Sequence, residues 1–136
     1  MHIHNIYADE QGESHFRDIE VEWAEEGPDG TTSKRFPATG IIFRFTPGDW
    51  RFDWHTATRR QYVINLDGSH KITASDGETR TIGQGEVILI EDMHSEGHLS
   101  EALGKLRHSI LIPVDNDVGS ALGDTLRFPS SAHWPE

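Results

Sequence analysis

Apolar and polar residues alternate along most of this chain, and the alternation predicts strands. Residues 2–7 and 15–24 read as two strands, the second carried by Phe16, Ile19, Val21 and Trp23 with one slip at Arg17 and Asp18. Between them lies a polar turn with a glycine, and residues 25–38 show no apolar period and read as a surface loop. Further strands are predicted over 41–46, 50–56, 61–66, 69–74, 78–82, 86–91 and 105–113. Turn signals separate them at Pro47-Gly48-Asp49, Asp67-Gly68, Asp76-Gly77 and Gly83-Gln84-Gly85, with Asp67-Gly68 expected to close a hairpin. A spacing of roughly ten residues per strand and turn belongs to an antiparallel sandwich or barrel. Residues 117–126 are expected to form a short helix and residues 129–136 a loose tail.

Side-chain parity then assigns faces. Gln61, Val63 and Asn65 share one side of their strand, while Tyr62, Ile64 and Leu66 share the other, more apolar side. The mixed side suits the inside of a ligand cavity. The apolar side needs a cover, which the N-terminal strands or a second subunit would supply, so a homodimer is expected. Arg44 sits between Ile42 and Thr46, and His55, Ala57, Arg59 and Gln61 fall on one parity if the chain stays extended. His108 is in register with Leu106, Ile110 and Ile112, which points it into the barrel.

Composition narrows the function classes. With 136 residues the chain is expected to be one domain over 1–136. Its parts would be a barrel core at about 40–113, N-terminal strands over 2–24 and a C-terminal portion over 114–136. The net charge of -11 argues against nucleic acid or a membrane surface as partner, because such binding needs a basic face. There are no cysteines, hence no disulfides or thiolate chemistry. No apolar run approaches the ~20 residues needed to span a bilayer. Met1-His-Ile-His lacks the features of a signal peptide, and a cytoplasmic location is expected. Phosphate-loop and Gly-x-Ser-x-Gly motifs are missing.

The candidate chemistry lies between Gly48 and His98. Gly48, His55, Ala57, Gln61 and Gly68 follow one another in the order of a glycine, two histidines, a glutamate and a closing glycine, with one residue more than usual after Gly48. Gly85 then opens a second block that ends at His98, with His94 the rival for that place. This order resembles the two motifs of the cupin superfamily, in its small single-domain bacterial members. The resemblance implies an all-β double-stranded β-helix, a cupin-like jelly-roll barrel, with the N-terminal strands covering one sheet. Metal-binding cupins hold one divalent ion with three histidines and the glutamate. Here Ala57 stands at the second histidine and Gln61 at the glutamate. What remains, His55, Gln61 and His98, would hold a transition metal (Zn, Mn, Fe, Co or Ni) only weakly, with waters completing the shell. The alternative is a metal-free pocket in which His55 and His98 act as acid and base.

Dioxygenase, isomerase, lyase or decarboxylase chemistry on a small polar or carboxylated molecule is what the resemblance implies. A non-catalytic binding protein or a structural dimer are the alternatives. Arg44 and Arg59 are candidates to clamp a carboxylate, and Trp54 and Tyr62 to line the pocket. His108 is a candidate for a missing ligand, and Glu91 for a general base at the cavity mouth.

Overall fold

A computed structural model gives the structure, described over residues 1–115 and 126–127. The described residues contain strands and no helix. These are β1 (His2–Ala8), β2 (Ser14–Val21), β3 (Glu25–Gly27), β4 (Gly30–Thr32), β5 (Ile42–Thr46), β6 (Arg51–His55) and β7 (Gln61–Asn65). They continue with β8 (His70–Ala74), β9 (Thr79–Ile82), β10 (Val87–Ile90), β11 (His98–Ala102), β12 (Arg107–Pro113) and β13 (Leu126–Arg127). No helix of the described residues is long and apolar enough to cross a membrane.

Two sheets face each other. The larger runs β13-β2-β1-β10-β7-β12-β5 and the smaller β6-β11-β8-β9, while β3 and β4 pair by themselves. Strands β5 to β12 alternate between the sheets, except that β8 and β9 are neighbours. Antiparallel pairing of β5-β12-β7-β10 opposite β6-β11-β8-β9 is the jelly-roll barrel of cupin-like proteins.

β1 joins the large sheet beside β10, in parallel, with β2 antiparallel on its far side. The N-terminal strands therefore extend one sheet and cover the end of the other. Ile6 and Phe16 pack with Ile72, Ala74 and Ile82 of β8 and β9, joined by Val63, Ile88 and Leu111. Ile6, Ile72, Ile82 and Ile88 are fully buried, and each contributes about 1.5–3 kcal/mol by leaving water. The outer apolar side holds Ile3, Ile19, Val21 and Leu89, with Phe36 and Tyr62 packed against them. That side was expected to lie under the N-terminal strands; β1 and β2 instead lie within its sheet, and Phe36 reaches over from the connection before β5.

Four local expectations differ from the structure. The stretch over 25–38 contains the exposed hairpin β3–β4. β11 was not expected, since Leu99 is the one large apolar residue of His98–Ala102. Asp67-Gly68 does not close a hairpin, because β7 and β8 lie in different sheets, although Gly68 does take a positive φ of 69°. Of the helix expected over 117–126, the described position Leu126 pairs as a strand with Val21, and the rest, like the tail over 129–136, lies outside the described residues.

Candidate functional site

The barrel interior is apolar where β8, β9 and the N-terminal strands meet. It is polar where β5, β12 and β7 face β6 and β11. There it opens into a cavity of about 500 Å³, within the size range of small-molecule sites.

One wall carries His55 and His98. They are paired across β6 and β11, with ring centroids 4.4 Å apart. Two features of the chain put them there. The register slips so that Ser100 opposes Phe52 while His98 opposes His55, leaving Asp53 and Trp54 opposite Leu99. This bulge puts Phe52 and His55 on the same inner side, three residues apart. Next, Gly97 has φ +87°, and a Cβ there would come within 2.5 Å of the His55 carbonyl carbon. Only glycine lets β11 begin flush against the end of β6.

Each imidazole is held through Nδ1. His98 Nδ1 donates to Asp92 Oδ2 at 2.7 Å, and Asp92 is fully buried. The same carboxylate oxygen accepts from Ser14 Oγ at 2.9 Å. His55 Nδ1 donates to the Asp53 carbonyl at 2.7 Å, and the ring stacks on Phe52 at 3.7 Å. With Nδ1 protonated, a neutral imidazole keeps its lone pair on Nε2. Burial lowers the His55 pKa, and the nearby His98 lowers it further, against the pull of the Asp53 carbonyl. His55 is therefore mainly neutral at neutral pH.

The facing sheet carries guanidinium groups. Arg107, on β12, is 1% exposed, and its Nε, Nη1 and Nη2 have no hydrogen-bond partner. Arg44, next to β12 on β5, has an unpartnered Nε. Burial, with the Arg44 charge beside it, draws Arg107 down to about 10, so it stays protonated at neutral pH. His70 completes this end. Its Nδ1 lies 3.0 Å from Asn65 Nδ2. The same amide nitrogen donates to the Ile82 carbonyl, and Asn65 Oδ1 accepts from Ser109 Oγ. A carbonyl can only accept, so the amide orientation is settled and His70 Nδ1 is an acceptor. The proton of the neutral ring then sits on Nε2. Burial, reinforced by Arg107 and Arg44, draws the His70 pKa down to about 2.

Among the sequence candidates, His55, His98, Gln61, Arg44 and Arg59 line the cavity. Arg59 Nε donates to Gln61 Oε1 at 3.0 Å. Trp54, Tyr62 and His108 do not line it. Trp54 is put outside by the bulge and is 51% exposed. Tyr62 lies on the outer side of β7, against the Leu89 group. His108 also points outward, where Asp67 Oδ2 meets its Nδ1 at 2.9 Å. Arg107, Ser109 and Leu111 are the inner positions of β12. His94 is exposed, and His98 lines the cavity. Glu91 is not at the cavity mouth: it bridges Arg17 (3.5 Å) and Arg60 (3.2 Å). β6 ends at His55, so strand parity does not reach Ala57, whose N–H bonds the Asp92 carbonyl at 3.3 Å.

No family model matches the chain, and no curated protein matches it. Among solved structures the chain is similar to the EutQ protein of Clostridium difficile, with a TM-score of 0.45 and 18% identity over 74% of this chain and 71% of that one. A conserved protein of unknown function from Streptococcus pyogenes gives 0.44 and 20%, over 60% and 68% of the two chains. A putative ethanolamine utilization protein from Salmonella typhimurium gives 0.39 and 10%, over 86% and 98%. The jelly-roll assignment rests on the strand order itself, and likenesses of this size add nothing to it.

Sequence reasoning missed Arg107, His70 and Asp92. Arg107 and Ser109 alternate with apolar Ile110 and Ile112, and that polar parity was the available signal. Asp92 gave only a carboxylate six residues before His98. As for a metal, among the described residues no three of His, Cys, Asp and Glu are placed to share an ion. Gln61 is engaged by Arg59, and no Asp or Glu lines the cavity while Arg44 and Arg107 do. A dication would add charge to a cationic chamber, so the residues present do not fit a divalent metal.

Proposed function

We propose that this barrel binds a small polar organic molecule in its cavity, with His55 and His98 as the groups that grip it, and that it does so without a metal. The observation that carries this is the pair of neighbouring imidazoles, each fixed through Nδ1, at the wall of a chamber of ligand size. Anchored rings keep Nε2 available, so a ligand hydroxyl or amine N–H can donate to them without first reordering the side chains. The same arrangement is a base. Neutral His55 can take a proton on Nε2 from one atom of a ligand and return the same proton to a neighbouring atom, which is the proton movement of an isomerase. Binding is the primary reading and catalysis its extension.

A fragment screen followed through the imidazole NMR signals tests it. Polar fragments are expected to shift both His55 and His98, and to lose affinity in His55→Ala, which keeps its melting temperature within a few degrees, and in His98→Ala, which melts lower because the buried Asp92 loses a donor. Fragments that bind both variants as tightly as the wild type would overturn the assignment.

A further inference from the structure

Arg107 is hard to explain as a structural residue. It is a buried guanidinium with three unpartnered nitrogens beside a second guanidinium, Arg44, in a cavity with no carboxylate in its lining. Buried cations are ordinarily paired, because desolvation of the charge is otherwise uncompensated. The side chain is not turned aside toward solvent, since the residue is 1% exposed. Next to it, the network through Asn65 leaves His70 with its proton on Nε2, a third donor at the same end of the chamber. The chamber thus has two unlike ends. One offers the donors of Arg44, Arg107 and His70; the other offers the imidazole lone pairs of His55 and His98, with Arg59 bonded to Gln61 beside them.

We propose that Arg44, Arg107 and His70 form an anion subsite that takes the carboxylate of a small organic acid, whose hydroxyl or amino group lies against His55 and His98. A carboxylate would satisfy the guanidinium donors and neutralise their mutual repulsion, and planar guanidinium suits that geometry. The ligand class is then a small hydroxy or amino acid. This inference rests on the cavity-binding reading above and adds the charge of the ligand to it.

The test uses the full chain and sodium lactate as the probe, with sodium chloride at equal ionic strength and propane-1,2-diol as controls. Lactate is expected to raise the melting temperature saturably and to shift the cavity histidines. Affinity should fall at least tenfold in Arg44→Gln and be lost in Arg107→Met, while Arg51→Gln, an exposed arginine on β6 near Asp53, leaves it unchanged. Without lactate, Arg107→Met should melt higher than the wild type, because it deletes an unpartnered buried charge; a structural arginine would give the opposite. Lactate acting no better than chloride on the wild type would overturn the subsite, as would undiminished lactate binding in both Arg44→Gln and Arg107→Met. If propane-1,2-diol moves the His55 and His98 signals and lactate does no more than chloride, the anion subsite falls and the binding reading stands. If neither compound moves them, both fall.

Discussion

Acid should destabilise this protein earlier than its carboxylates alone require, and His70 is the reason. The residue is 3% exposed and held neutral, with its pKa drawn from 6.5 to about 2 by burial and by Arg107 and Arg44. The sign follows from linkage. A histidine whose folded pKa is depressed takes its proton in the unfolded chain first, so stability is lost as pH falls below the unfolded value of 6.5. Going from about pH 7.5 to about pH 5, one such histidine removes about 2 kcal/mol, the slope approaching its limit of ~1.4 kcal/mol per pH unit only at the acid end. That is a large share of the roughly 5–15 kcal/mol that holds a domain folded. The assay is urea unfolding at a series of pH values for the wild type and for His70→Gln. The variant loses the Asn65 contact and starts lower, but its stability should fall by about 2 kcal/mol less over the same span. Parallel curves for the two proteins, or an imidazole signal for His70 that titrates near pH 6 in the folded state, would refute the reasoning.

His15 should act in the opposite sense. Burial opposes its charge, but hydrogen bonds to Asp9 and Asp76 outweigh that and raise its pKa. The stabilisation is full below 6.5 and lost as pH rises through the raised folded value, so His15→Gln should flatten the alkaline side of the stability curve by about 1 kcal/mol or less. Gly97→Ala should cost about 2 kcal/mol or more in chemical denaturation, from the positive φ and from the collision with the His55 carbonyl; a smaller loss would mean that β6 yields easily. Gly68→Val should cost about 1 kcal/mol or more, since φ is +69° and the Leu106 carbonyl lies 3.3 Å from the new Cβ; an unchanged melting temperature would count against it. Phe43 (74% exposed) and Phe45 (60%) stand outward on the edge strand β5, so light scattering should report twice the 15.3 kDa chain mass, and Phe43→Glu should return the monomer.

What could be read from the sequence depended on which force set each residue's place. Strands such as β7, β8 and β10 alternate or run apolar and adjoin glycine turns, so local pattern found them. β11 escaped because its position is fixed by pairing with β6 and β8, not by its own apolar content. On β7 the mixed face was correctly turned inward. On β12 the apolar face was assigned to the interior, and His108 went with it. The barrel is inverted at this end: Ile110 and Ile112 lie outside, while Arg107 and Leu111 line the cavity and Ser109 is buried between them. Hydrophobic parity identifies a packed core, and a polar chamber reverses its sign. Trp54 was misplaced for a smaller reason, a bulge that no local pattern announced.

The parallel pairing of β1 with β10 sets an order of assembly. His4 meets Ile88, so the first strand of the chain, paired early with β2, finds its second partner only after most of the rest has been made. On a ribosome the N-terminal hairpin must wait, with Ile6 and Phe16 uncovered, until β8 to β10 have emerged; contacts of such long sequence separation form slowly and leave apolar surface open to aggregation meanwhile. Ser14, on the second strand of that hairpin, bonds the carboxylate that orients His98. The orientation of that one imidazole is therefore completed late in folding, and its NMR signal would mark the moment at which the N-terminal hairpin has docked on the barrel.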